Sequence, residues 1–369
     1  MTAFPKTSKN LSRRGFIGAS ALAPAALMLQ AGEAHAAANT RAQLAAVHSG
    51  SPAHQLLYKT DEFFIAHRGA GNISPEHTAY AYAESVRRGA LAVEISVRTT
   101  SDGQFVCMHD TNIKRTTGAS MDVRGHTLAE LRQYKVNMRQ NLGEKTGLYD
   151  IPTLEEAIAA VDAVPAGGEY ASVGGKKVVL FLEAKDGPAQ AGLVKFITER
   201  GLQRRTVIKM YRDGSGGFKP TSRYLKLANS AGCATWCYFD GGDPIDKISA
   251  MARHENVDAI GVPYYEKPTG VSQGSMSEEN VRALTGLGKA VIVWEIHRRS
   301  AYEKYKALGV KGFMCPDPYW VIGDPFDSSV KIKTGKRPHG MLPADPSVAA
   351  DMPDLTGTAI VHNQRYDES

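Results

Sequence analysis

The sequence predicts an α/β fold, a parallel (β/α)8 barrel with a small insertion after the second strand. Three observations carry this. Short apolar runs recur eight times between residues 63 and 315. Polar or helical stretches of crossover length separate them, as a parallel sheet requires. Several of those stretches close on glycine, which takes the left-handed conformation after a last helical turn without penalty. A doubly wound open sheet is the alternative. The absence of a glycine-rich turn after the first run argues against its dinucleotide-binding form.

The predicted strands are 63–67, 91–97, 178–183, 206–210, 234–239, 259–262, 290–296 and 312–315. Helical patterns fall at 78–88, 189–200, 222–230, 246–254, 278–287 and 301–308, and the glycines that stop them are Gly89, Gly201, Gly232, Gly288 and Gly309. After the second run, Asp102-Gly103 between two β-like stretches signals a tight hairpin. Pairing about that turn sets His109 opposite Ile95 or Ser96. Residues 110–177 are too long for a simple crossover and read as an inserted subdomain. It holds a helix near Leu128–Tyr134 and another over Thr153–Val161, where Thr153 and Glu156 spell a capping box.

The ends of the chain read differently. Ser12-Arg13-Arg14-Gly15-Phe16-Ile17, an alanine-rich apolar stretch and Ala34-His35-Ala36 make residues 1–36 a twin-arginine export signal. The expected location is therefore periplasmic or secreted. The apolar stretch is too short to span a bilayer, so no stable membrane insertion is expected. Residues 37–60 read as a linker, 61–325 as the barrel and 326–369 as an irregular tail. The net charge is +6, and half of it sits in residues 1–36, where four basic side chains face Glu33 alone. The remainder is too weakly basic to imply a nucleic-acid partner. Cys107, Cys233, Cys237 and Cys315 lack metal-site spacing and are expected as buried free thiols. The oligomeric state is not encoded in any repeat or heptad.

The chemistry gathers at strand ends. His67 closes the first strand and Arg68 follows, a bidentate donor suited to phosphate. Glu94 and Ser96, two apart, face the same side of their strand, as do Glu183 and Lys185. Glu94 and Glu183 could gather a hard divalent cation, Ca²⁺ or Mg²⁺, that would stabilise charge on a phosphate ester. Of His67 and His109, one would take a proton from the attacking oxygen and the other protonate the leaving alkoxide. The bland reading makes His67 structural, Glu76 a helix-dipole carboxylate and Glu183–Lys185 an internal ion pair.

These residues resemble the glycerophosphodiester phosphodiesterase family. The family's His-Arg-Gly is His67-Arg68-Gly69, and its Pro-Glu-Asn-Thr is Pro75-Glu76-His77-Thr78. Its Glu-x-Asp reads Glu94-Ile95-Ser96, its His-Asp reads His109-Asp110, and its Leu-Glu-x-Lys reads Leu182-Glu183-Ala184-Lys185. Arg115-Thr116-Thr117-Gly118 and Ile151-Pro152-Thr153-Leu154-Glu155-Glu156 also match. The resemblance implies metal-dependent hydrolysis of a small phosphodiester or a lysophospholipid-like substrate to an alcohol and glycerol 3-phosphate. It implies His67 and His109 as the acid–base pair and Glu94 and Glu183 as metal ligands. Arg68 and Lys185 would hold phosphate. It also implies attack by a neighbouring substrate hydroxyl and a cyclic intermediate.

Three positions depart from the pattern. Ser96 replaces a metal-binding aspartate and is a poor ligand. Trp294-Glu295-Ile296-His297 stands for Trp-Thr-Val-Asn. Alternation puts Trp294 toward the pocket, as a wall for an apolar or cationic head group, and Glu295 on the other face. Only a local twist would let Glu295 replace the missing carboxylate. His77 for asparagine reads as a surface or helix-cap change. The departures leave two further readings: a phospholipase D-like lipid phosphodiesterase with altered metal use, and a catalytically silent barrel that binds a phosphate ester.

Overall fold

The computed structural model describes residues 50–87, 90–142, 146–164, 178–187, 189–265, 274–296, 299–316 and 318. The export segment, the tail, Gly89 and His297 lie outside them.

Nine strands form the sheet: β1 (Phe63–Ala66), β2 (Ala92–Thr99), β3 (Phe105–Cys107), β4 (Val179–Ala184), β5 (Thr206–Tyr211), β6 (Ala234–Tyr238), β7 (Ala259–Pro263), β8 (Ala290–Trp294) and β9 (Gly312–Cys315). The order runs β1-β9-β8-β7-β6-β5-β4-β2-β3, and β1 also pairs with β2. That second pairing closes eight parallel strands into the predicted barrel, and β3 alone is antiparallel. Helices α1 (Pro52–Lys59), α2 (Ala79–Arg87), α3 (Lys114–Thr117), α4 (Leu128–Leu131), α5 (Arg139–Leu142), α6 (Leu154–Ala163), α7 (Ala189–Glu199), α8 (Arg223–Ser230), α9 (Ile245–Arg253), α10 (Glu278–Thr285) and α11 (Arg299–Ala307) complete it. Thr153 and Glu156 form the expected capping box at the head of α6.

Period-two alternation explains where the site lies. On the inward face, the lower positions are apolar: Phe63 and Ile65, Ala92, Val179 and Phe181, Val207, Ala234 and Trp236, Ala259, Ala290 and Ile292. Continuing each strand by two residues changes the chemistry. The same face then carries His67, Glu94 and Ser96, Glu183, Lys209 and Tyr238. Gly261 makes room in this layer, because a Cβ there would lie 2.5 Å from the Tyr238 Cβ. The outward faces pack on the helices in one continuous apolar cluster.

The linker expected over residues 37–60 contains structure. Ser51 caps α1 by accepting from the His54 N–H, and Pro52 opens it with its fixed φ. Ala53, Leu56 and Leu57 pack against the barrel's lower apolar layer. The helix was unreadable as such because only one of its faces is apolar and it is too short for a clear period. All four cysteines are buried free thiols. Among the described residues no helix is long and apolar enough to cross a membrane.

Leu57 is 1% exposed, so Leu57→Ala should cost about 2–5 kcal/mol through lost burial and a residual cavity. Urea unfolding would show a lower midpoint at constant slope. A change below about 0.5 kcal/mol would mean that α1 does not pack as described.

Candidate active site

The first loop sets the geometry. Arg68, Ala70 and His77 hold left-handed φ of 54°, 62° and 57°, a concentration of backbone strain typical of functional sites. Gly69 has φ 76°, and a Cβ on it would sit 2.9 Å from the Ala81 Cβ, so the helix could not approach behind any other residue. His67 enters the mouth with Nδ1 2.8 Å from Glu295 Oε1 and Nε2 3.9 Å from Glu94 Oε2. The Arg68 N–H donates to Glu94 Oε2 at 3.1 Å, and its guanidinium lies 3.5 Å from Glu76.

The hairpin delivers His109 as predicted. Val97 pairs with Cys107, and the Met108 N–H donates to the Ser96 carbonyl at 3.0 Å. One residue on, His109 stands level with Ile95. Its Nδ1 is 2.8 Å from Asp110 Oδ1, and Arg98 Nε donates to its carbonyl. Arg115 then joins the hairpin to the first loop. It donates to both Glu76 oxygens, at 2.9 and 2.6 Å, and to Asp110 Oδ2 at 2.6 Å.

Glu94 and Glu183 come together on neighbouring strands, but with a cation already between them. Lys209 Nζ is 3.2 Å from Glu94 Oε1 and 2.9 Å from Glu183 Oε2. Ser96 Oγ donates to the same Glu94 Oε1 at 3.0 Å. Tyr238 donates to Glu183 Oε1 at 2.7 Å, and Lys185 Nζ lies 3.4 Å from Glu183 Oε2. Burial alone would raise the Glu94 pKa, yet Lys209 first and then His67 hold it well below the carboxylate range. Burial likewise opposes Lys185 and Lys209 at Glu183, and the two lysines win, lowering it to about 2. Lys209, in turn, is penalised by burial and raised by both glutamates, so it stays charged. Burial, then Arg68 and Lys185, push His109 well below the imidazole range and keep it neutral.

Two sequence expectations need correction. His77 is no surface residue: it is 1% exposed and its Nδ1 is 2.6 Å from the Tyr82 hydroxyl. Burial lowers its pKa to about 3. The left-handed φ reverses the direction in which the side chain leaves the loop, which residue type alone does not reveal. Glu295 and Trp294 were expected on opposite faces, and both reach the mouth. Strand β8 ends at Trp294, so alternation no longer governs the next residue. Glu295 meets His67 and does not complete the Glu94–Glu183 pair. The Trp294 ring lies 5.5 Å from Tyr238 and 5.9 Å from Tyr265.

Residues 67–208 match the glycerophosphoryl diester phosphodiesterase family. A glycerophosphodiester phosphodiesterase of Caldanaerobacter subterraneus is 25% identical over 264 residues, covering 70% of this chain and 95% of its own. These matches place residues 67–208 in the glycerophosphoryl diester phosphodiesterase family. Solved structures share the fold. A phosphodiesterase from Oleispira antarctica, in complex with the product sn-glycerol-3-phosphate, superposes with a TM-score of 0.55 at 20% identity, over 70% of this chain and 94% of that one. A glycerophosphodiester phosphodiesterase of Agrobacterium tumefaciens gives 0.52 at 15% identity, over 70% and 98%.

Members of this family generally depend on a divalent cation. The donors here do not fit one. Ca²⁺ takes six to eight oxygens, and Mg²⁺ demands a regular octahedron. Two carboxylates and a serine hydroxyl are present, and internal donors already engage them. Among the described residues, no three His, Cys, Asp or Glu side chains are arranged to hold a metal ion. A divalent ion about 3 Å from the Lys209 ammonium would be repelled by on the order of 10 kcal/mol at an effective dielectric of ~20. Lys209 escaped the sequence reading, and Arg115 entered it only as part of a matching motif, with no role assigned. The signal for Lys209 was a lone charge in the apolar run Val207-Ile208-Lys209-Met210, in register with inward Val207.

Glu76 gives a test of the buried network. Burial would raise its pKa, but Arg115 and Arg68 hold it below the ordinary 4.5. The folded state therefore binds fewer protons than the unfolded chain. The stabilisation is full above about pH 4.5 and is lost as pH falls below it. Glu76→Gln should cost about 3–5 kcal/mol at pH 7, by leaving two guanidinium groups without their carboxylate. It should also flatten the acid side of the stability–pH curve in urea melts. A variant with unchanged slope there would remove Glu76 from the network.

Proposed function

We propose that this chain hydrolyses glycerophosphodiesters to an alcohol and glycerol 3-phosphate at the barrel mouth, with His67 and His109 as the acid–base pair. The family places it among the phosphoric diester hydrolases. The observation that carries the finer reading is that each histidine meets a carboxylate through Nδ1, His67 at Glu295 and His109 at Asp110. Such a partner fixes ring orientation and leaves Nε2 for proton transfer.

The environments divide the roles. His109 is buried among cations and neutral, so it suits the base. His67 faces Glu94 and Glu295, which favour the imidazolium, so it suits the acid. His109 takes the proton of the neighbouring substrate hydroxyl as its oxygen bonds phosphorus. The bond to the departing alcohol breaks, and His67 protonates that alkoxide. Water then opens the cyclic ester with the two roles reversed. Arg68 and Lys185 bring positive charge to the phosphate oxygens. Trp294, Tyr238 and Tyr265 offer aromatic faces to a cationic or apolar head group. The substrate we infer is a small phosphodiester or a lysophospholipid. Export through residues 1–36 belongs to the same proposal, and rests on the twin-arginine pattern alone.

Glycerol phosphate release from glycerophosphocholine tests the reading. His67→Ala and His109→Ala should each lower kcat by about 10²–10⁴. With a p-nitrophenyl leaving group, which needs no proton, His67→Ala should recover most of its rate while His109→Ala should not. Wild-type turnover in both variants would sink the proposal.

A further inference from the structure

We propose that the Lys209 ammonium takes the place of the divalent cation in this barrel, and that phosphodiester hydrolysis here requires no metal ion. The activity side of this inference rests on the phosphodiesterase reading; the binding side stands by itself.

The argument begins with position. Glu94 and Glu183 lie side by side on paired strands, where Ser96 is level with Glu183. A cation serving both carboxylates must sit between their inner oxygens. Lys209 Nζ is there, within 3.2 Å of one and 2.9 Å of the other. Its stem rises from β5 between strands that carry Glu183 and Tyr238, and the ammonium lies 5.2 Å from the Tyr238 ring centre and 5.6 Å from that of Trp236. With 6% exposure it is a built-in group of the mouth and no surface lysine folded inward.

Charge makes the same point. Three carboxylates around a divalent ion carry one net negative charge. In this chain serine has removed one carboxylate and lysine has supplied one positive charge. Two carboxylates and one ammonium again carry one net negative charge. Ser96 and Lys209 are thus two halves of one exchange. Ser96 is also fully satisfied in its new role, since its hydroxyl donates to the Glu94 oxygen that Lys209 contacts. An aspartate at that position would face Glu94 with a like charge and too little cation to hold both.

The exchange leaves the proton chemistry intact. Lys209 transfers no proton in the proposed steps. It holds two carboxylates ionised and adds positive charge where the phosphate gains negative charge. Arg68 and Lys185 complete that field.

Two measurements on the full chain test this. The first is Mn²⁺ binding followed by electron paramagnetic resonance, which needs no turnover. Wild type should show no site-bound Mn²⁺ up to about 1 mM, and Ser96→Asp/Lys209→Ala should bind it at least about a hundredfold more tightly. Tight wild-type binding that disappears in Glu94→Gln would overturn the inference. The second is turnover of glycerophosphocholine after chelation. Wild type should keep its rate within about twofold in EDTA, and Lys209→Met should lose about 10²–10³. The Ser96→Asp/Lys209→Ala variant should regain activity only with added Mn²⁺, which a purely structural loss would not do. Activity that vanishes in EDTA and returns with a divalent ion, or full metal-free activity in Lys209→Met, would refute it. If no phosphodiester turns over under any condition, the phosphodiesterase reading fails, and the Mn²⁺ experiment still decides what Lys209 does.

Discussion

Two carboxylates buried side by side cannot both stay ionised unless a cation lies between them. Everything at the mouth of this barrel follows from how that requirement is met. Glu94 and Glu183 are 0% and 4% exposed, so water cannot screen them. Lys209 meets the need from a third strand, and Ser96, Tyr238, Lys185 and the Arg68 N–H approach the same two carboxylates. The group that makes the mouth foldable is therefore the same group that sets its electrostatic field. Stability and chemistry share one contact.

A second chain of charges serves the first. Arg68, Glu76, Arg115, Asp110 and His109 follow one another in contact, from the first loop through α3 to the hairpin. The segment after β3 looks like an addition to the barrel. Its Arg115 nevertheless holds the carboxylate that holds a proposed catalytic histidine. Arg115 is 39 residues from its partner Glu76, and only the closed fold makes them neighbours.

That distance explains what could be read in advance. His67, Glu94, Ser96, His109, Glu183 and Lys185 were legible because each is tied to a local signal: a strand end, a two-residue spacing or the Asp102-Gly103 turn. Most helix boundaries came within a residue or two for the same reason, since capping and glycine stops are local; the helix read over Leu128–Tyr134 stops three residues sooner, at Leu131. Lys209 and Glu94 are 115 residues apart, and no local rule joins them. Glu295 was placed on the wrong face because alternation was carried one residue past the strand that enforces it. His77 was assigned to the surface because a left-handed φ leaves no mark on residue type. What escaped was the pairing of charges, and it escaped because pairing belongs to the tertiary fold.

Helix α1 sits across the lower end of the barrel, and Phe181, Trp236 and their neighbours fill the interior above it. Among the described residues the lower end is thereby closed by apolar packing, and the charged groups gather at the other. On the proposed reaction a diester would enter, and its two products leave, past the same aromatic rings and the same cations. The phosphomonoester of that reaction, with more charge than the diester, would be drawn to Arg68 and Lys185 more strongly than the substrate that produced it.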